Sequence, residues 1–386
     1  MLLLVLTSRT GGGHDMRARS MAAWAKEPAL AELDLDVVLM EALEGKHPMY
    51  TFGVWFYNWI QRTMPRLHHI YFNILEFFPS CKSAQYMPGH REFLKKIQAL
   101  RPDVVVSVHD HLNHGFFELV RMAFPKNPPP CITYCGELFG GYGFSRHWVN
   151  PKADYFMGAV KETCLAAEKL KMQHVRNEEA GFMLGPQFSK EKLTSEERAA
   201  YIRSEWGFDP ERFILLLATG ANGANNHCVL LNALHKAGVH PQVVALCGRD
   251  ETALKAVEAW GQEHPEIPVK ALGYTLDMAR IFQCVSAIVA RPGTGTTSES
   301  IVSECPIIFN GIGGIMPQEL ITVKFFKKHR VDFVMRRPAQ LARIVKSWMD
   351  SPAAFDAVKR SIAQLPYRHN PAAILKKIHA LGAVKR

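Results

Sequence analysis

The chain has 386 residues, 48% of them hydrophobic and 21% charged, which is ordinary globular material for about two domains. No run reaches the roughly 20 apolar residues a spanning helix needs, and the apolar opening Met1–Leu6 meets Arg9 too soon, and without a basic leader, for a signal peptide. A net charge of +10 calls for an anionic partner: a membrane surface, a phosphorylated small molecule or nucleic acid, with nucleic acid last because no RNA-binding aromatic signature accompanies the charge.

In chain order, one rhythm repeats: a short β-branched run, a polar turn, a helical segment. Residues 2–8, 33–40, 102–110, 130–138 and 153–160 predict strands buried on both faces of a parallel sheet, with helices over 90–100 and 161–170 among them. A second series follows a polar stretch, with strands at 213–220, 241–249, 268–274, 286–293, 305–311 and 331–335. Such alternation predicts α/β architecture with right-handed crossovers, as two Rossmann-like doubly wound domains facing across a cleft. We place the domains at residues 1–188 and 189–364. The last helix, within 365–386, either closes the second domain or folds back on the first. Eight cysteines scattered through apolar runs read as reduced core thiols of a cytosolic protein.

The first strand runs into "TGGGHDMRA". Glycines at a strand-to-helix turn let a ligand approach the backbone, and the helix start favours negative charge. Gly12 and Gly13 therefore mark a binding turn. His14 is placed at the carboxyl edge of the strand as a base for neutral pH. The plainer reading is a capping histidine. Asp34 and Asp36 fall inside a strand and read as an edge feature.

Residues 46–80 break the rhythm. Trp55, Phe56, Trp59, Tyr71, Phe72 and Phe77 are interleaved with Arg62, Pro65 and Arg66. Trp and Tyr beside Arg suit the headgroup level of a bilayer, so the segment reads as interfacial, with Trp55, Trp59, Arg62 and Arg66 as membrane or acceptor contacts. A helical lid on its own domain is the alternative. Further on, "HDHLNH" gathers His109, Asp110, His111 and His114. With no third element to complete a metal set, it reads as acceptor contacts or loop polarity. Cys131 and Cys135 lack a partner pair for zinc, and the basic C-terminal helix reads as a solvated face.

The second domain opens on another glycine turn, "GANGANNH", with Gly220 and Gly223. More specific is "ARPGTGTTSES" at 290–300, where a strand end meets Gly293, Gly295, Thr296, Thr297 and Ser298, and a helix is expected from Glu299. Amides and hydroxyls at a helix start make a diphosphate cradle, and Glu299 is placed to accept from a ribose diol. Gln318 and Glu319 end the next turn as paired groups for sugar hydroxyls. A capping box or a solvated loop is the competing reading.

These turns, taken in order with "CPIIFN…PQE" and "LGYTLDMARIFQCVSAIVARPGTGTTSESI", resemble the monogalactosyldiacylglycerol synthase and processive diacylglycerol glycosyltransferase group. That group is related to the peptidoglycan glycosyltransferase MurG and has the GT-B fold. The resemblance implies an inverting transfer from a UDP-sugar to diacylglycerol or a similar lipid alcohol. The expected setting is the cytoplasmic face of the inner membrane, with an anionic membrane surface as partner. It implies His14 as base or orienter, Gly293–Thr297 as the diphosphate loop, Glu299 at the ribose and Gln318–Glu319 at the donor sugar. It also implies Gly220 and Gly223 as the first glycine loop, and the backbone near Tyr274 as the uracil-facing turn. No cofactor and no metal are expected. The chain departs from the group's pattern in "RPGTGTT", which adds Arg291 and two residues. It lacks the asparagine after Gln-Glu, and in "YCGEL" Glu137 stands in as the catalytic acidic residue. Arg291 is our own assignment, as added positive charge at the diphosphate. Transfer to a polyprenyl-linked acceptor, nucleotide-sugar epimerisation or hydrolysis, and non-catalytic nucleotide-sugar binding are the alternatives.

Overall fold

The computed structural model describes residues 1–10, 12–43, 48–63, 67–77, 84, 87–218 and 226–384. The chain folds as two compact units. The first comprises Met1–Pro186, Met316–Ile321 and Pro366–Arg386; the second comprises Gln187–Ile315 and Thr322–Leu365.

In chain order the first unit contains β1 (Leu2–Thr7), α1 (Gly13–Trp24), β2 (Asp36–Glu41), α2 (Pro48–Thr63), α3 (His68–Phe77), α4 (His90–Leu100) and β3 (Val104–Ser107). These are followed by α5 (Gly115–Ala123), β4 (Cys131–Cys135), β5 (Tyr155–Gly158), α6 (Lys161–Lys169) and β6 (Asn177–Glu179). The six strands form one parallel sheet in the order β2-β1-β3-β4-β5-β6. Period-two alternation makes both faces apolar. Leu3 and Val5 pack with Val104 and Val106 on one side, while Leu4 and Leu6 pack with Phe93, Ile97 and Phe117 on the other. Each such fully buried side chain contributes about 1.5–3 kcal/mol. Helix α4 has this design in its sequence: Phe93 and Ile97, four residues apart, are its buried pair, and Arg101 in the left-handed region ends it.

The second unit begins with α7 (Ser195–Tyr201), capped reciprocally by Thr194 and Glu197 and continued by a π turn to Trp206. Then come β7 (Ile214–Ala218), α8 (His227–Lys236), β8 (Gln242–Gly248), α9 (Glu251–Glu263), β9 (Val269–Gly273), α10 (Met278–Cys284) and β10 (Ala287–Ala290). The series closes with α11 (Thr294–Val302), β11 (Ile307–Asn310), α12 (Pro317–Lys328, whose start through Ile321 belongs to the first unit), β12 (Phe333–Met335), α13 (Pro338–Asp350) and α14 (Pro352–Ala363). Its sheet is also parallel and six-stranded, ordered β12-β11-β10-β7-β8-β9. The last helix, α15 (Pro371–Ala383), belongs to the first unit, where Ile374, Leu375 and Ile378 join the core around Leu3 and Val104.

Strand order fixes where ligands can act. The strand order of the first sheet reverses between β1 and β3, and that of the second between β7 and β10, and the carboxyl ends of strands at such switch points are where open α/β sheets bind ligands. One strand, β6, has no counterpart in the sequence reading. Its residues Asn177, Glu178 and Glu179 are polar and only half-buried, so neither an apolar run nor alternation marks it, and its pairing with β5 alone defines it. The seven described cysteines are free, and no helix among the described residues is long and apolar enough to cross a membrane.

Candidate active site

In the first unit, the β1–β3 switch point opens onto a cavity of about 380 Å³ lined by His14, Tyr57, His68, His109, Glu137 and Gln318, with apolar side chains between them. Gly12 enters α1 at φ 80°, a left-handed conformation that a side chain would strain, and this turn delivers His14 to the cavity wall. His14 Nδ1 lies 2.7 Å from the carbonyl oxygen of Val108, just beyond β3. A carbonyl only accepts, so Nδ1 carries the proton and Nε2 holds a bare lone pair. Burial, reinforced by His109 and Arg17, holds the imidazole pKa well below its usual value, against the opposing pull of Asp110 and Val108. At neutral pH His14 is therefore an uncharged base with a fixed tautomer.

Glu137 follows β4 and is 8% exposed, with no hydrogen-bond partner for Oε2. Burial raises its carboxyl to about 7; the cation of Arg17 restrains the rise and Asp110 adds to it. Arg17 is itself buried and donates to Gly136 O at 3.0 Å. A Cβ on Gly136 would fall 2.0 Å from Arg17 Nε, so only glycine lets the guanidinium lie here.

The "HDHLNH" stretch forms another wall. Fully buried Asn113 donates to the carbonyls of His109 at 3.0 Å and His147 at 3.1 Å, and accepts from Thr133 at 2.9 Å, which ties the loop to β4. His109 Nε2 meets Thr10 Oγ1 at 2.7 Å, and its ring lies 4.4 Å from that of His14. Burial would raise the Asp110 pKa, but His111 and His109 hold it well below the usual carboxylate range. Burial drives His111 and His114 down to about 4, so both are neutral. Tyr57, Asn113 and His147 were not picked out in the sequence. They lie in segments far apart along the chain, and no spacing pattern connects them.

Gln318 and Glu319 separate. Gln318 faces the cavity, donating from Nε2 to Tyr57 Oη at 2.9 Å and leaving a buried, unpartnered Oε1. Glu319 is 3% exposed and accepts the Met316 N–H at 2.9 Å. Glu319 thereby satisfies the amide at the start of α12.

In the second unit, β10 runs through Arg291 and Pro292 to Gly293, which caps α11 with extended backbone and no side-chain bond. The helix thus starts at Thr294, five residues before the expected Glu299, and Gly295, Thr296, Thr297 and Ser298 form its first turn. An uncapped helix start with a glycine beside it suits an anion. Thr297 keeps a buried hydroxyl with no partner. The Ser298 hydroxyl donates to Thr294 O and Gly295 O, both at 2.8 Å, so its side chain braces the turn rather than supplying a donor to a ligand. Burial raises the half-buried Glu299 carboxyl to about 8. Arg291 Nη1 donates to Ile312 O at 3.3 Å, which ties the added cation to the loop after β11. Tyr274, 57% exposed, follows β9 and carries the Arg249 guanidinium 4.5 Å above its ring. Gly220 and Gly223 lie outside the described residues.

Helices α2 and α3 carry the aromatic segment. Trp55 and Trp59 are 57% and 38% exposed and stacked 6.4 Å apart, and Phe52, 60% exposed, adjoins Trp55. Arg66 and the Arg62 side chain lie outside the described part. Asp36 starts β2, whereas Asp34 sits before it at φ 42°, in the turn rather than in the strand.

No family model matches the chain. It is 19% identical over 97% of its length to the processive diacylglycerol beta-glucosyltransferase of Bacillus pumilus, covering 94% of that protein. It is 23% identical over 100% of its length to the chloroplastic monogalactosyldiacylglycerol synthase of Spinacia oleracea, covering 72%. Among solved structures, MurG from Acinetobacter baumannii superposes with a TM-score of 0.61 at 13% identity, covering 98% of this chain and 99% of that one. Anabaena HepE in complex with UDP gives 0.57 at 12% identity, with 100% of both chains covered. The fold is GT-B.

Proposed function

We propose that the chain, a GT-B glycosyltransferase of the group containing the processive diacylglycerol glucosyltransferases and monogalactosyldiacylglycerol synthases, moves a hexose from a UDP-sugar to diacylglycerol or a similar lipid alcohol. The observation that carries this reading is the switch-point cavity, where an imidazole with a bare Nε2 and a carboxyl raised to about 7 share apolar walls. Such a site accepts a hydroxyl on an otherwise greasy molecule. His14 Nε2 removes the hydroxyl proton as its oxygen attacks the anomeric carbon. Glu137 and Gln318 Oε1 are free to orient the acceptor. The C–O bond to the nucleotide diphosphate breaks on the opposite face, so the configuration inverts. The first-turn amides of Thr294–Thr296 and the positive end of α11 take up the negative charge of the leaving group, with Arg291 beside them. Glu299 accepts from the ribose. In this reading no metal or cofactor takes part in the transfer.

Incubation with radiolabelled UDP-glucose or UDP-galactose and diacylglycerol vesicles, without added Mg²⁺ or Mn²⁺, is expected to give lipid-soluble label. Label appearing only on a polyprenyl phosphate acceptor, or only as free sugar, would replace the acceptor assignment. Nucleotide binding with no transfer to any of these would leave a binder rather than an enzyme.

The stacked, exposed face of Phe52, Trp55 and Trp59 is assigned to the bilayer headgroup region, with the net charge of +10 supplying attraction to anionic lipid rather than to nucleic acid. This makes the protein a peripheral membrane enzyme. Replacing both Trp55 and Trp59 by Ala should reduce flotation with anionic vesicles by about tenfold or more, given about 1.5–3 kcal/mol for each large apolar group buried. Undiminished flotation of the folded double variant would remove that role.

A further inference from the structure

A second cluster in the second unit has no part in sugar transfer. Helix α8 leads into β8 and α9 leads into β9, so His235 near the end of α8, and His264 and Glu266 just beyond α9, gather at the amino edge of the sheet. Gly293 and the start of α11 occupy the carboxyl edge. One ligating atom from each of the three side chains lies within 4.8 Å of the other two. Glu266 Oε1 is 2.6 Å from His235 Nδ1 and 3.4 Å from His264 Nδ1. His235 Nδ1 is nevertheless buried with no hydrogen-bond partner, so the short approach to Glu266 lacks hydrogen-bond geometry.

We propose that these residues bind a borderline divalent transition-metal ion of the Zn²⁺ class. Two imidazole nitrogens and one carboxylate oxygen make a His₂Glu set that leaves a fourth position for water. Mg²⁺ and Ca²⁺ prefer all-oxygen shells. The surroundings support the site: the Trp260 ring lies 4.3 Å from that of His264, and its indole N–H donates to Asn232 on α8 at 2.8 Å, which joins the two helices behind the ligands. All three ligands are 24–39% exposed, which gives an ion a path in. Bound there, the ion ties the end of α8 to the α9–β9 connection, a structural role at the edge away from the nucleotide turn.

Titrating the full chain with Zn²⁺ by calorimetry should give one equivalent at this site. Co²⁺ in its place should give the intense visible absorption of a four-coordinate centre and quench the fluorescence of Trp260. His235→Ala, His264→Ala and Glu266→Gln should each weaken Zn²⁺ binding at least about tenfold and abolish the Co²⁺ band. Trp260→Phe should remove the quenching while keeping the stoichiometry. Glu266→Gln preserves shape and covers the case in which a histidine variant fails to fold. Zn²⁺ binding unchanged in these variants, or the weak absorption of six-coordinate Co²⁺, overturns the assignment.

Discussion

Replacing His14 by Ala is expected to lower the rate of sugar transfer about 10²–10⁴-fold, the usual range for a lost general base, while leaving UDP affinity unchanged. The residue's chemistry sets the pH dependence. The bond from Nδ1 to Val108 fixes the tautomer, and burial with His109 and Arg17 nearby holds the pKa well below the ordinary histidine range. A lowered pKa means that the free base persists as the solution is acidified, so the acid limb of kcat/KM should fall below the usual histidine midpoint. Glu137 offers a contrast within the same cavity. With its carboxyl raised to about 7, it would place the acid limb near 7 if it were the base. A limb near 7 that disappears in Glu137→Gln, together with an active His14→Ala, would transfer the role to the carboxylate. Because His14 is half-buried and holds one backbone carbonyl, the variant should fold, which circular dichroism would check.

The second large effect is expected at Glu299. Its Ala variant should raise the KM for UDP-sugar roughly 10–100-fold, as expected for losing about 1.5–3 kcal/mol of hydrogen bonds between a charged acceptor and a diol. Burial alone raises this carboxyl to about 8, so at neutral pH the free protein holds it mostly protonated. Ribose hydroxyls donating to it favour the ionised form. UDP binding near pH 7 should therefore release a proton, seen as a binding enthalpy that varies with the ionisation enthalpy of the buffer, and the variation should vanish in Glu299→Gln. The sign for stability follows from the same shift. The unfolded pKa is near 4.5 and the folded value about 8, so the native state binds the extra proton, and stability is lost as pH rises through about 8. The free Glu299→Gln protein should accordingly lose less stability than wild type between pH 6 and 9. A KM that does not change in Glu299→Ala, with buffer-independent enthalpy in wild type, would place the ribose elsewhere.

The sheets were legible because their strands are buried on both faces and read as near-continuous apolar runs between turn residues. Polar β6 was not, since only its pairing with β5 makes it a strand. The positions of His14 and Gly293 could be inferred because each ends such a run at a strand's carboxyl edge. Helix phase was harder to read. Nothing local distinguishes Gln318, which faces the cavity, from Glu319, which bonds the Met316 amide, until the start of α12 is known. The early start of α11 likewise turns on Gly293 taking the cap position, which moves Ser298 onto backbone carbonyls. Tyr57 and His147 reach the cavity through tertiary packing alone. At the amino edge of the second sheet, His264 and Glu266 are two residues apart, but their partner His235 lies on another helix, so the set assembles only in the fold.

The most direct measurement is the anomeric configuration of the product made by the wild-type protein from α-linked UDP-glucose and diacylglycerol vesicles, read by NMR of the extracted lipid. A single displacement by a lipid hydroxyl deprotonated at His14 predicts a β-glucosyl glycerolipid. An α-linked lipid, or glucose released to water with none on the lipid, would contradict it.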